Sequence, residues 1–266
     1  AVRWATQRSI PYVMTANGTL LRHERKVGLK WLWDGVVAGQ VPRNAVRCIA
    51  VSAADAARHG TAGIPPERIV RIPNGLDLGE FEALPTRGGF RASRGIGERP
   101  VVTYLGRVSP RKGVSHLVRA FADGALDPAV LIVAGNDMGA MADARKAARG
   151  VDSVHFVGLV QGRERLSLLA DTDVLVYPSA DEVFGLVPFE GLLCGAPVVV
   201  TDDCGCGELI ADAGAGLLVG FGDVSGLQDR IRTLIEDADA GRAMVARGRR
   251  YIEDRLSFTR VASRHE

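Results

Sequence analysis

Short apolar runs punctuate this chain of 266 residues, with longer mixed segments between them. Six of the runs fall in the second half, at residues 101–105, 129–134, 154–157, 174–177, 197–201 and 216–219. Each is almost continuously apolar rather than alternating, as expected of strands covered on both faces of a parallel sheet. Most of the segments between them carry a helical pattern, so residues 101–266 predict a doubly wound α/β domain. Residues 224–236 and 238–254 read as helices polar on one side, and Phe258 starts another.

The first third repeats the pattern less completely. Residues 10–15, 47–51 and 69–72 predict strands and residues 53–59 a helix, with turns at Ala16-Asn17-Gly18 and Pro73-Asn74-Gly75. Residues 22–37 read as a basic helix carrying Trp31 and Trp33, either packed on its own domain or touching a membrane surface. Residues 81–100 mix Pro, Gly, Arg and Ser without periodicity and mark the boundary. The expected division is a first α/β domain over residues 1–85, a linker over 86–100 and a second domain over 101–266.

Composition narrows the function classes. Hydrophobic residues make up 47% of the chain and the formal net charge is +2, which gives no global attraction to nucleic acid, so any anion site must be local. No apolar run is long enough to span a membrane. The four cysteines read as free thiols: Cys48 and Cys194 sit in apolar stretches, and Cys204 and Cys206 are too close for a zinc knuckle or a redox CxxC pair. Unpaired thiols fit a reducing, cytoplasmic setting.

The chemistry concentrates in residues 179–208. Glu182 and Glu190 are separated by seven residues, and Pro188 suits the first turn of a helix. Glu190 then lies in that first turn and Glu182 in the loop before it. The amides of Phe184, Gly185, Leu186 and Val187 would point out of the helix start, where the dipole favours a phosphate or sugar hydroxyls, and Gly185 would let a ligand approach. Ionised carboxylates only accept hydrogen bonds, so Glu190 can take both hydroxyls of a ribose and Glu182 those of a sugar. Taken alone, such a pair reads most simply as two solvated acids. An apolar strand and a Gly-rich corner with Glu208 follow directly and favour a built site.

A second corner follows the strand at 101–105. Gly106-Arg107 and Lys112-Gly113 place a guanidinium fork, a point charge and free amides at the start of a helix over 114–121, a phosphate-binding arrangement. Two apparent motifs are discounted. Asp171-Thr172-Asp173 imitates a DxD metal motif but falls at a helix end, and Gly214-Ala215-Gly216 is followed by a strand where a dinucleotide loop needs a helix.

Residues 179–208 and the GRVSPRKG run at 106–113 together resemble the donor-site signature of the retaining glycosyltransferases of family 4, and residues 48–77 resemble the stretch that ends the first domain of those enzymes. The resemblance implies a GT-B fold of two Rossmann-like domains with parallel sheets, the first incomplete, because no strand with a Gly-rich loop precedes Ile10. It implies transfer of a sugar from a nucleoside-diphosphate sugar to a saccharide or lipid-linked acceptor hydroxyl, with retention, in polysaccharide, lipopolysaccharide or glycolipid synthesis. Arg107 and Lys112 would hold the diphosphate, Glu182 the sugar and Glu190 the ribose, with backbone at Gly106 and Val160 completing the donor site and Val160 next to the base. No metal and no cofactor beyond the donor are expected. Asn17 stands where the family often has the histidine of a His-Gly pair, so Asn17 and Gly18 mark the acceptor side. The enzyme would work in the cytoplasm, in peripheral contact with the inner face of the membrane through the acceptor domain. Two other readings stay open: an epimerase or hydrolase of nucleotide sugars on the same fold, and a nucleotide-binding module without turnover.

Overall fold

The computed structural model describes residues 2–17 and 40–265. The basic helix expected at 22–37 and the acceptor-side Gly18 lie outside the described residues.

The elements follow the apolar runs. In chain order they are α1 (Val2–Gln7), β1 (Val13–Thr15), α2 (Gln40–Asn44), β2 (Arg47–Ala50), α3 (Ala53–Thr61), β3 (Ile69–Arg71), α4 (Gly89–Ser93), β4 (Val101–Leu105), α5 (Val114–Ala120), β5 (Val130–Ala134), α6 (Met141–Ala147), β6 (Val154–Gly158), α7 (Gly162–Ala170), β7 (Val174–Tyr177), α8 (Val187–Cys194), β8 (Val198–Thr201), α9 (Gly205–Ala213), β9 (Gly216–Val219), α10 (Val224–Glu236), α11 (Ala238–Arg255) and α12 (Phe258–Ala262). β1 starts later than the apolar run at 10–15, because its pairing with β2 begins only at Val13 opposite Arg47.

Two parallel sheets result. The first has the order β1-β2-β3, the second β6-β5-β4-β7-β8-β9. In the second sheet the chain builds outward from β4 to β6, then returns to the other side of β4 for β7. The period of two along each strand sorts side chains between the faces: Val101, Leu105, Val130 and Ile132 enter one core, Val102, Tyr104, Leu131 and Val133 the other. Both faces are therefore covered, as the continuous apolar runs require.

The segment expected to be a linker is a packed element. Residues 89–93 form α4, with Phe90 buried. The anchor is the false metal motif: Asp171 accepts from the backbone N–H of Gly88 and of Arg91 (2.8 Å), and Asp173 pairs with Arg87 and Arg91 and accepts from Val101 N–H (2.7 Å). These carboxylates are occupied with holding the linker to the second sheet.

The last helices also join the first sheet to the second domain. Leu76 N–H donates to the Leu256 carbonyl (2.7 Å), Phe258 N–H donates to the Leu76 carbonyl (3.1 Å), and Val261 of α12 packs on Ile49 and Ile72. The last helix thus crosses back onto the first sheet. Phe258 lies against Gly75, where any Cβ would stand 2.5 Å from its ring, and the Asn74-Gly75 turn lines a cavity between the first sheet and α12.

Candidate functional site

The order of the second sheet reverses between β4 and β7, and at such a switch point the loops leaving the strand ends diverge to form a crevice. Both predicted motifs sit there. The loop after β4 carries Gly106, Arg107 and Lys112; the loop after β7 carries Glu182 and leads into α8. The loops are tied by a hydrogen bond from Ala180 N–H to the Arg111 carbonyl (2.8 Å). Gly113, at φ 61°, permits the approach, since a Cβ would stand 2.1 Å from the Pro178 carbonyl oxygen.

Lys112 and Glu182, far apart in sequence, form an ion pair in this crevice. Tyr177, the last residue of β7, completes a triangle: its hydroxyl accepts from Lys112 Nζ (2.6 Å) and donates to Glu182 Oε2 (3.0 Å), while the ammonium stands 4.7 Å from the ring centroid. Burial pushes the Glu182 carboxyl up, but the Lys112 charge, hydrogen bonds from Lys112 and Tyr177 and the Arg107 charge outweigh it, so it is held below its ordinary value. Burial and the Glu182 charge hold the Tyr177 phenol well above its own. Arg107 is exposed and bears on Glu182 through space.

α8 begins where Pro188 predicts, and Glu190 lies in its first turn. Among the described residues, nothing accepts from the N–H groups of Phe184, Gly185, Leu186 and Val187. Their side chains differ in use. Phe184 is buried against Phe189 at 5.6 Å between ring centroids, whereas Leu186 is exposed. Gly185, at φ 80°, also permits a close approach within the protein, since a Cβ would stand 3.0 Å from Cys206 Sγ and 3.1 Å from the Tyr177 ring.

Glu190 is not alone. Arg165 of α7 donates from Nη1 to its Oε2 (2.5 Å) and from Nη2 to Glu80, in the segment after β3. Burial raises the Glu190 carboxyl, and even with Arg165 beside it the carboxyl stays above its ordinary value. Sequence reading missed Arg165 and Tyr177. The first lies in a helix with no motif around it; the second reads as the final apolar residue of a strand.

Val160 is 4% exposed and its side chain joins the core. Asn17 is exposed in the turn after β1 at φ 43°. Glu208 caps α3 of the first sheet, accepting from the N–H groups of Ala53 (2.6 Å) and Ala54 (3.3 Å). Arg58 of α3 donates to the carbonyl (3.3 Å) and the Oδ1 (3.2 Å) of Asp181, which adopts φ 55° next to Glu182. Cys204 and Cys206 are free and buried, 3.2 Å apart, with the Cys204 sulfur accepting from Gly207 N–H at the start of α9. No helix among the described residues is long and apolar enough to cross a membrane.

Known proteins resemble this chain in sequence and in fold. The sequence model described as Glycosyl transferases group 1 matches residues 88–251, and that described as Glycosyltransferase Family 4 matches residues 1–80. The alpha-maltose-1-phosphate synthase of Mycolicibacterium smegmatis is 28% identical over 95% of this chain and 71% of its own length. The GDP-mannose-dependent alpha-(1-6)-phosphatidylinositol monomannoside mannosyltransferase of the same organism is 30% identical over 74% of this chain and 55% of its own. The chain thus spans only part of these relatives. The crystal structure of HepE from Anabaena, in complex with UDP, superposes with a TM-score of 0.84 over 99% of this chain and 73% of that one, at 23% identity. The architecture is therefore of the GT-B type, and with more than half of its length inside the group 1 match the chain belongs to the family 4, group 1 glycosyltransferases.

Proposed function

We propose that this protein transfers a sugar from a nucleoside-diphosphate sugar to an acceptor hydroxyl with retention of configuration. The observation that carries the reading is the meeting, at the switch point, of Lys112, Tyr177 and Glu182 with Arg107 and the unpaired amides at the start of α8. The UDP bound by HepE and the GDP-mannose named for the mycobacterial relative support a donor of this class.

In the proposed reaction the bond between the anomeric carbon and the diphosphate oxygen breaks, and the electron pair leaves with the diphosphate. Fixed charges aimed at that developing negative charge lower the barrier without reorganising. Arg107 and Lys112 aim positive charge at the leaving group, with Lys112 sharing its charge with Glu182, and no metal is invoked. Glu182 and the amides of Phe184 to Val187 orient the sugar, Glu190 accepts from the ribose hydroxyls, and the backbone at Gly106 and Val160 lines the diphosphate and base. The acceptor oxygen forms its bond on the face the diphosphate vacates, passing its proton to the departing phosphate oxygen. No enzyme nucleophile is needed for retention by this route.

The acceptor is proposed to be a saccharide or lipid-linked glycan, bound on the side of Asn17 and Gly18, with the first domain in peripheral contact with the cytoplasmic face of a membrane. The mannosyltransferase relative, whose name specifies a phosphatidylinositol acceptor, supports this choice, and the four free buried thiols support a reducing compartment. The test is incubation of the full gene product with UDP-glucose, GDP-mannose and ADP-glucose, with and without a lipid extract. Acceptor-dependent transfer, with the product anomer retained by NMR, is the expected result; sugar release or isomerisation independent of acceptor contradicts it.

A further inference from the structure

The geometry around Glu190 carries more than a ribose contact. Its side chain is only 18% exposed and Arg165 is 15% exposed, whereas Glu80, the third member, is 46% exposed. Arg165 uses one guanidinium nitrogen on Glu190 Oε2 and the other on Glu80, with the Phe81 ring 5.9 Å away. Two acids share one base, and Glu190 Oε1 is left for a ligand. The charged and titratable groups that face Glu190 are Arg165 from α7, Glu80 from the segment joining the two sheets and Cys194 from its own helix. The Cys194 thiol, pushed up to about 12 by burial, stays neutral.

We propose that Arg165 is the positioning residue of the ribose site: it fixes one oxygen of Glu190, keeps that carboxylate charged so that it can accept from both ribose hydroxyls, and divides its charge with Glu80. The proposal rests on the reading of Glu190 as the ribose acceptor. A protonated carboxyl has lost part of its acceptor capacity and cannot serve two hydroxyls in the same way. Arg165 opposes the protonation that burial favours; Glu80 weakens that opposition by taking half of the guanidinium and by repelling charge on Glu190. Glu80 comes from the first part of the chain, so the join between the sheets tunes the nucleotide site.

The test uses this chain, with UDP, GDP and ADP each paired with its 2′,3′-dideoxy form, titrated by calorimetry from pH 5 to pH 8.5. The paired ligands carry the same phosphates, so their ratio isolates the ribose hydroxyls. A hydrogen bond to a charged group corresponds to a preference of roughly 10- to 150-fold for the ribose form. In Arg165→Met that preference falls about tenfold at pH 7, and the pH below which it is lost moves up; Arg165→Lys restores part of it. In Glu80→Gln the same limit moves down. Glu80 is the more exposed partner, so this variant keeps the test decisive if Arg165→Met fails to fold. Limits that stay put, or move together in both variants, reduce Arg165 to a packing role and overturn the proposal. A wild-type chain that binds both forms of every pair alike removes the ribose reading of Glu190 and the proposal with it.

Discussion

Replacing Lys112 by methionine keeps the stem that lies along Tyr177 and deletes the charge that balances Glu182. The Lys112 side chain is 10% exposed and that of Glu182 is 23% exposed, so the carboxylate left behind is mostly cut off from water. Removing one partner of a buried pair costs about 3–5 kcal/mol, and the residual exposure of Glu182 puts this case near the lower end, about 3 kcal/mol. At about 2–4 °C per kcal/mol for a protein near this size, the melting temperature drops by about 6–12 °C. The sign of the pH dependence sharpens the prediction. In the wild type the folded Glu182 pKa lies below its unfolded value, so its contribution is present above the unfolded pKa and fades as pH falls through the folded one. Without Lys112, burial dominates and the folded pKa moves above the unfolded value. The variant then loses stability as pH rises through the glutamate range. The gap between the two proteins is widest at neutral pH, narrows as pH falls through the glutamate range, and closes only below the wild-type folded pKa, which lies under the ordinary glutamate value. Differential scanning calorimetry at pH 4 and pH 7.5 reads it; gaps of equal size at both would show that the cost comes from lost packing, not from the ion pair.

Two further substitutions probe separate parts of the account. Glu190→Ala removes a charged acceptor and should weaken a nucleoside diphosphate by roughly 1.5–3 kcal/mol; unchanged calorimetric affinity sinks the ribose assignment. Glu208→Ala removes the acceptor of the first two amides of α3, while Ser52 still accepts from Asp55 N–H, and should cost about 0.5–2 kcal/mol. Urea titration checks it, and a loss within error would mean that solvent satisfies the Ala53 and Ala54 amides equally well.

The legible parts of the sequence were those whose signal is local. All six strands of the second sheet stand where continuous apolar runs predict them, because burial on both faces removes the polar positions that blur a strand. Pro188 fixed the start of α8, and a helix end beside a strand exposed Asp171-Thr172-Asp173 as something other than a metal motif. What those aspartates do was not legible. They hold α4 and its approach from roughly 80 residues away, and α4 is a five-residue helix flanked by glycine with no periodic signal of its own. Arg165 was hidden for the same reason: its partners Glu80 and Glu190 are brought to it by the packing of α7 on α8 and by the return of the chain after β3. Tyr177 shows a third kind of concealment, since one side chain supplies both an apolar ring to the core and a hydroxyl to the Lys112–Glu182 pair.

The central claim is that the crevice between β4 and β7 is a nucleoside-diphosphate site. Its most direct test is calorimetric titration of this chain with UDP, GDP and ADP beside the matching nucleosides, at fixed salt, in the wild type and in Arg107→Ala. The account predicts that one diphosphate binds far more tightly than its nucleoside and that Arg107→Ala removes most of this advantage. Failure of all three diphosphates to bind the folded chain, or an advantage over the nucleoside that survives Arg107→Ala intact, would contradict it.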